Sequence, residues 1–222
     1  MLAEIKQGIE GVDQMARRLV LVMLAGCVVL AGCQTKPSSK VGKWQSLFDG
    51  KSLDGWKVTE ESPDTFRVEK GEIVANGNRA HLFYDGPVGE HNFKNYEFKA
   101  DVMTWPNSNS GMYIDTKYQK EGWPSAGYEI QVNNSYEKDP RKTASIYGKQ
   151  DIKEKLANDK EWFTQHIIVN GKTVTVKING KVVNEWTEPE DQNKLVGGTV
   201  ALQGHDPGSE VRYKNIKVKI LP

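Results

Sequence analysis

Cysteine is nearly missing from this chain. Of its 222 residues only two are cysteines, Cys27 and Cys33, and both stand near the N-terminus. The body beyond them therefore holds no disulfide, and its core must stabilise it unaided. Long apolar runs are missing too. The stretch from Leu19 to Ala31 is shorter than the roughly 20 residues that span a bilayer. No sign of charge dominates, since 30 basic and 29 acidic residues leave a formal charge of +1. That balance argues against a nucleic-acid partner, and no charge block marks a disordered tail. Helical periodicity is almost absent, and only "DIKEKLANDKEW" (151–162) suggests a short helix. The chain also lacks internal repeats and low-complexity tracts.

What is present begins at Met15, with "MARRLVLVMLAGCVVLAGC". Arg17 and Arg18 supply a positive n-region, and Leu19 to Ala31 an apolar h-region that ends in small residues. "LAGC" occurs twice, and it resembles the lipobox of bacterial lipoproteins, whose cysteine is lipidated and becomes the mature N-terminus. Cleavage before Cys27 would leave a very short apolar segment, so Cys33 is the expected lipidation site. Residues 1–14 add nothing to such a signal, which makes Met15 a candidate start. The resemblance implies a leader over 1–32, a lipidated Cys33 with a polar tether to residue 43, and a place in the bacterial cell envelope with a membrane as partner. Residues 44–222 then form one domain, long enough for a sizeable core.

That domain alternates with the period of a strand. "FRVEKGEIVA" reads as strand, turn and strand around Lys70-Gly71. "NYEFKADVMTW" places Tyr96, Phe98, Ala100 and Val102 on one face. "HIIVNGKTVTVKINGKVVNEW" holds two Asn-Gly pairs between β-branched runs, which predicts a three-stranded meander. Many short antiparallel strands with turn signals mean a sandwich or barrel.

Three strands depart from the usual solvated face of Lys, Glu and Thr. In "GYEIQVNN" (127–134) Tyr128, Ile130 and Val132 face one way, and Glu129, Gln131 and Asn133 the other. In "VALQGH" Gln203 and His205 oppose Val200 and Leu202. In "NSNSGMYIDT" Asn109, Gly111, Tyr113 and Asp115 oppose Ser110, Met112 and Ile114. Any one such face is ordinarily just a wet surface. Three in one small domain, placed in one curved sheet, would form a groove floor of amides, one histidine and one carboxylate. Trp105, Trp123 and Tyr147 lie in or near flanking loops and could wall it. Amides with aromatic rings suit a carbohydrate, whose hydroxyls need paired partners and whose C–H faces stack on rings.

These stretches also carry a family resemblance. "LFDGKSLDGW" (47–56), "FRVEKGEI" (66–73), "NFKNYEFKADV" (92–102), "NSGMYI" (109–114), "GYEIQV" (127–132), "TASIYG" (143–148) and "VALQGHDPGSEVRYKNIKVKIL" (200–221) occur in order over nearly all of residues 44–221. Together they resemble the 3-keto-disaccharide hydrolase domain family. The resemblance implies an all-β fold, a concanavalin A-like jelly-roll sandwich of two antiparallel sheets. It also implies an enzyme that cleaves 3-keto-glycosides on a concave sheet. One departure stands out. Many members carry an arginine in a pattern like N-S-G-x-x-x-R, where this chain continues Met112 to Thr116 and then Lys117. Arg141 or Lys142, in "DPRKTASIYG", could substitute.

A C3 ketone acidifies the C2 proton. A base can remove it, the enolate can expel the C1 substituent with help from an acid, and water can add back to give net hydrolysis. That route needs one base, one acid and donors for the enolate oxygen. Glu129 and His205 are the candidate acid/base pair. Gln131, Asn109, Gln203, Tyr113, Arg141 and Lys142 are candidate binding groups, and Tyr147 and Trp123 candidate stacking rings. A divalent cation could hold the enolate oxygen, although no His-x-His pair or carboxylate cluster reads as a metal site. Other classes remain open: a non-catalytic carbohydrate-binding domain, an ordinary glycoside hydrolase pairing Glu129 with Asp115 about 5–10 Å apart, and a purely structural lipoprotein.

Overall fold

The computed structural model describes residues 40–222. The expected leader, the candidate start Met15 and the lipidation site Cys33 lie outside the described residues, and the expected tether is described only from Lys40. In chain order the strands are β1 (Trp44–Ser46), β2 (Trp56–Val58), β3 (Phe66–Glu69), β4 (Glu72–Ala75), β5 (Ala80–Tyr84), β6 (Tyr96–Thr104), β7 (Ser110–Thr116), β8 (Tyr128–Val132), β9 (Phe163–Asn170), β10 (Thr173–Ile178), β11 (Lys181–Thr187), β12 (Thr199–Gly204) and β13 (Val211–Ile220). They form two antiparallel sheets. One has eight strands, in the order β11-β10-β9-β6-β13-β4-β3 with β1 beside β13, and the other five, in the order β2-β5-β12-β7-β8. This is a jelly-roll sandwich, as expected.

The sheets meet over one core, which holds Tyr96, Phe98, Ala100 and Val102 from the large sheet and Met112, Ile114, Ile130 and Leu202 from the small one. Each large apolar side chain buried there contributes roughly 1.5–3 kcal/mol relative to exposure. The turn chemistry is as read. Lys70 and Gly71 both take positive φ between β3 and β4, and so do Asn179 and Gly180 in the meander. Paired positive φ is what a tight two-residue hairpin requires.

Segment 151–162 does not form the expected helix. Its backbone groups bond sideways: Ile152 O accepts from Lys142 N at 2.8 Å, and Lys160 N donates to Thr104 O at 2.7 Å. Ile152, Leu156 and Ala157 pack against the core. Tertiary partners here outweigh a weak local preference.

The small sheet brings β12, β7 and β8 side by side, so the three polar-faced strands are neighbours. Residues 143–147 run along the outer edge of β8, with Ala144 N donating to Gln131 O and Tyr147 N to Glu129 O, both at 3.0 Å. Asn133 fixes the intervening loop. Its amide donates to the carbonyls of Tyr136, Asp139 and Arg141, and its Oδ1 accepts from Tyr136 N.

Candidate active site

A cavity of about 340 Å³ opens on the outer face of the small sheet. Glu129, Tyr113 and Gln203 border it from the strands, His205 from just beyond β12, and Trp123 and Tyr147 from the flanking loops. Six of the residues singled out from sequence thus meet in one place. Glu129 lies at its floor. The Tyr113 hydroxyl donates to Glu129 Oε2 at 2.8 Å, and Gln203 Nε2 donates to Oε1 at 2.8 Å. Gln131, with its amide nitrogen turned toward the carboxyl, donates to Oε1 and to the Ser110 carbonyl, each at 3.1 Å. Burial pushes the Glu129 carboxyl up to about 7, against the opposing pull of the Tyr113 and Gln203 hydrogen bonds. A group poised there can give or take a proton at neutral pH.

His205 is the second titratable group. Its Nδ1 lies 2.6 Å from Asp206 Oδ2. Its ring meets Trp123 at 5.5 Å and Tyr136 at 5.4 Å between centroids. Asp206 also accepts from Ser209 Oγ at 3.0 Å and Gly208 N at 2.8 Å. Burial would raise its carboxyl, but the bonds from His205, Ser209 and Gly208 outweigh that and hold it below the usual carboxylate range. A carboxylate on Nδ1 favours the tautomer with the proton on Nδ1 and leaves Nε2 to face other chemistry.

The other named residues stand back from the cavity. Gln131 and Asn109 are buried behind Glu129, their side-chain amides 3.2 Å apart. Arg141 packs over the Tyr147 ring at 4.3 Å and bonds Asp139 at 3.2 Å. Lys142 Nζ donates to the Tyr136 and Asp139 carbonyls and ties down the loop. Trp105 lies away from this sheet, its ring 4.9 Å from the Arg212 guanidinium. Asp115 leaves the polar face altogether. Its φ is +49°, and its carboxylate takes the Tyr96 hydroxyl at 2.9 Å and Gly197 N at 2.8 Å on the core side. It cannot pair with Glu129 across a glycosidic bond.

Several site residues were not signalled by alternation. Asp139 borders the cavity and Tyr136 the His205 ring, and both come from the irregular loop that Asn133 organises. Fully buried His81 on β5 stands opposite Gln203 in the ladder, with its ring against Tyr113 at 5.2 Å and Trp123 at 5.6 Å. Burial drives its pKa down to about 3, so it is neutral at physiological pH. Among the described residues no cluster of three His, Cys, Asp or Glu side chains is placed to hold a metal ion.

Gly111 explains the glycine of "NSGMYI". A Cβ there would stand 2.8 Å from Glu129 Cγ and 2.9 Å from Cδ, inside van der Waals contact. Gly111→Ala should displace the carboxyl by a fraction of an ångström to an ångström and lower turnover by about 10²-fold. The fold should survive, because the clash is with one side chain rather than backbone. Initial rates beside a thermal melt check this, and an alanine variant with unchanged rate would show that Glu129 need not sit where it does.

Two comparisons bear on this geometry. Residues 43–219 match the family model described as a 3-keto-alpha-glucoside-1,2-lyase-like domain. Among solved structures, a candidate glycosyl hydrolase from Parabacteroides distasonis superposes with a TM-score of 0.67 at 24% identity, over 81% of this chain and 94% of that one. A carbohydrate-binding module, CBM66 from Bacillus subtilis, superposes with a TM-score of 0.56 at 10% identity, over 74% of this chain and 95% of that one. At such identities these likenesses show the fold alone. No curated protein matches the sequence. The family match covers nearly the whole described sandwich, and the chain belongs to the 3-keto-alpha-glucoside-1,2-lyase-like (3-keto-disaccharide hydrolase) domain family.

Proposed function

We propose that this protein is a carbohydrate-active enzyme that cleaves glycosides carrying a ketone at C3. Removal of the C2 proton gives an enolate. Its collapse restores the ketone, forms a C1–C2 double bond and breaks the bond from C1 to the leaving oxygen, which takes a proton from the acid. Water adding at C1, with a proton returning to C2, completes net hydrolysis. Stopping before that addition makes the enzyme a lyase.

The observation that carries this reading is Glu129, a buried carboxyl pushed up to about 7 that shares a cavity with His205. One proton donor and one acceptor satisfy an elimination. Tyr113 donates to Glu129, and Gln203 donates both to Glu129 and to the Tyr113 hydroxyl, so the pair fixes the carboxyl in place for proton transfer. Trp123 and Tyr147 offer exposed rings for the sugar faces. A binding module would need these rings and amides but no tuned carboxyl. An ordinary glycosidase would need a second carboxylate across the bond. Asp139 is the cavity's other carboxylate, and its Oδ1 already accepts from Arg141 N and Nη1.

The deciding experiment offers the protein a disaccharide and its 3-keto form in heavy water. The expected result is cleavage of the keto form alone, with deuterium entering C2. Cleavage of the plain disaccharide at a comparable rate would point to a carboxylate-pair hydrolase, and binding without cleavage of either to a recognition domain.

A further inference from the structure

Two cations border the Glu129 cavity, Lys149 and Lys194, and the elimination uses neither. Both are exposed. Their Nζ atoms stand 5.8 and 5.6 Å from the centre of the Tyr128 ring, which borders the same cavity. Each ammonium has three N–H groups to give. Lys149 gives one to Gln192 Oε1 at 3.0 Å, and Lys194 gives one to the Ser125 carbonyl at 3.3 Å. Among the described residues neither lysine forms an ion pair. The carboxylates around them are engaged elsewhere. Asp139 and Asp151 both hold Arg141, at 3.2 and 3.3 Å. Buried Glu188 accepts from the Tyr128 hydroxyl and from the backbone N–H groups of Lys194 and Leu195. Glu190 pairs with Lys172 at 3.1 Å.

Strand register sets where these cations lie. Ala201, Tyr113 and Glu129 are ladder partners, and β12 runs in the same direction as β8 because both are antiparallel to β7. Gln203 and His205 follow Ala201, so they lie on the Gln131 side of Glu129. Tyr128, with the two lysines around its ring, lies on the other side. The cavity therefore has His205 at one end, two ammonium groups at the opposite end, and Glu129 between them.

We infer that the lysine end receives an anionic group, a carboxylate or sulfate, carried by the glycoside whose reacting carbons lie between Glu129 and His205. A neutral sugar leaves both ammonium groups with neutral acceptors alone. An anion seated there gains a charge-assisted hydrogen bond from each, and the opposite charge steers it into the cavity. Two sources carry such a charge: a carboxylate at C6 of the keto sugar, and a leaving group that bears a carboxylate or sulfate. The inference rests on the keto-glycoside reading of this cavity and adds the charge of its substrate.

The test offers the full chain two pairs of keto substrates. The 3-keto forms of para-carboxyphenyl and para-carbamoylphenyl α-glucoside differ in charge on the leaving group. The 3-keto forms of phenyl α-glucuronide and phenyl α-glucoside differ in charge at C6. Values of kcat/KM are taken for the wild type, Lys149→Gln, Lys194→Gln and the double variant. Calorimetry gives Kd for the same compounds on Glu129→Gln protein, with and without the lysine changes. The wild type should favour the anionic member of one pair about tenfold, as two exposed ion contacts allow, and the pair that shows it identifies the source. Each single variant should reduce that preference, and the double variant or high salt should abolish it. If the keto substrates are cleaved with no charge preference in either pair, or the double variant keeps the preference, the anion site is wrong and the keto-glycoside reading stands. If the variants slow the neutral members as much as the anionic ones, the lysines serve the reaction itself and the anion site is again wrong. If nothing is cleaved, the keto-glycoside reading falls and Kd alone decides the anion site. An anionic preference that the lysine changes remove keeps it, and equal affinity or no binding removes it.

Discussion

Glu129→Gln should lower turnover of a 3-keto-glycoside by about 10²–10⁴-fold, the usual worth of a general acid or base, and should raise the melting temperature at pH 8. Glutamine matches the protonated carboxyl in shape. It can keep one strong acceptor for Tyr113 or Gln203, the two groups bonded to Glu129 at 2.8 Å. It cannot exchange a proton with substrate. The stability effect follows from the same burial. Folding raises this carboxyl from an ordinary value of 4.5 to about 7, so the folded state binds its proton more tightly than the unfolded state does. The stabilisation from that proton is fully present below about pH 4.5 and is lost as pH rises through 7. Glutamine stays neutral throughout, so the gap in melting temperature should be widest at pH 8 and close toward pH 5. A stability gain bought with lost activity is typical of a functional site. Rates on the keto substrate and melts at three pH values measure both halves. A variant that keeps its rate would remove Glu129 from the chemistry, and a gap that does not vary with pH would mean the carboxyl is not buried as described.

Much of this site was legible because strand periodicity is a strong signal. Alternation in "GYEIQVNN", "VALQGH" and "NSGMYI" placed Glu129, Gln203, His205 and Tyr113 on polar faces, and sheet order then made β8, β12 and β7 neighbours. Alternation failed where the backbone departs from regular strand. Asp115 sits at positive φ, so the period of two breaks beneath it and its side chain turns to Tyr96. Asn133 follows the last residue of β8 and bonds loop carbonyls instead of facing the groove. Loop residues were the least legible. Asp139 and Tyr136 reach the site through a turn set by Asn133 and Lys142, contacts that no local pattern encodes. His81 was hidden for another reason. In "AHLFY" every residue is buried, so the strand shows no polar face to notice. The glycine of "NSG" was visible, but its cause, the room that Glu129 needs, appears only with β7 and β8 paired.

His205 should prove as sensitive as Glu129, and Asp206 should prove its positioning partner. The His205 Nδ1 to Asp206 Oδ2 distance of 2.6 Å is short for a nitrogen–oxygen bond, as expected when the acceptor is ionised. Asp206 is itself held by Ser209, Gly208 and the Tyr136 hydroxyl. Removing its charge takes away the tautomer preference and the anchor on Nδ1 that fixes the ring. His205→Ala should therefore cut kcat by about 10²–10⁴-fold. Asp206→Asn should lower kcat substantially with little change in KM. The two residues act as a unit, so the double variant should be scarcely slower than His205→Ala alone. Ser209→Ala separates this role from a merely structural one. It deletes the bond to Asp206 and the one accepted from Asn109 N but leaves the His205 contact, so it should lower the melting temperature more than the rate. Full additivity of the two losses, or an Asp206→Asn variant whose KM rises while kcat holds, would leave Asp206 as an anchor of the turn at Pro207-Gly208 and nothing more.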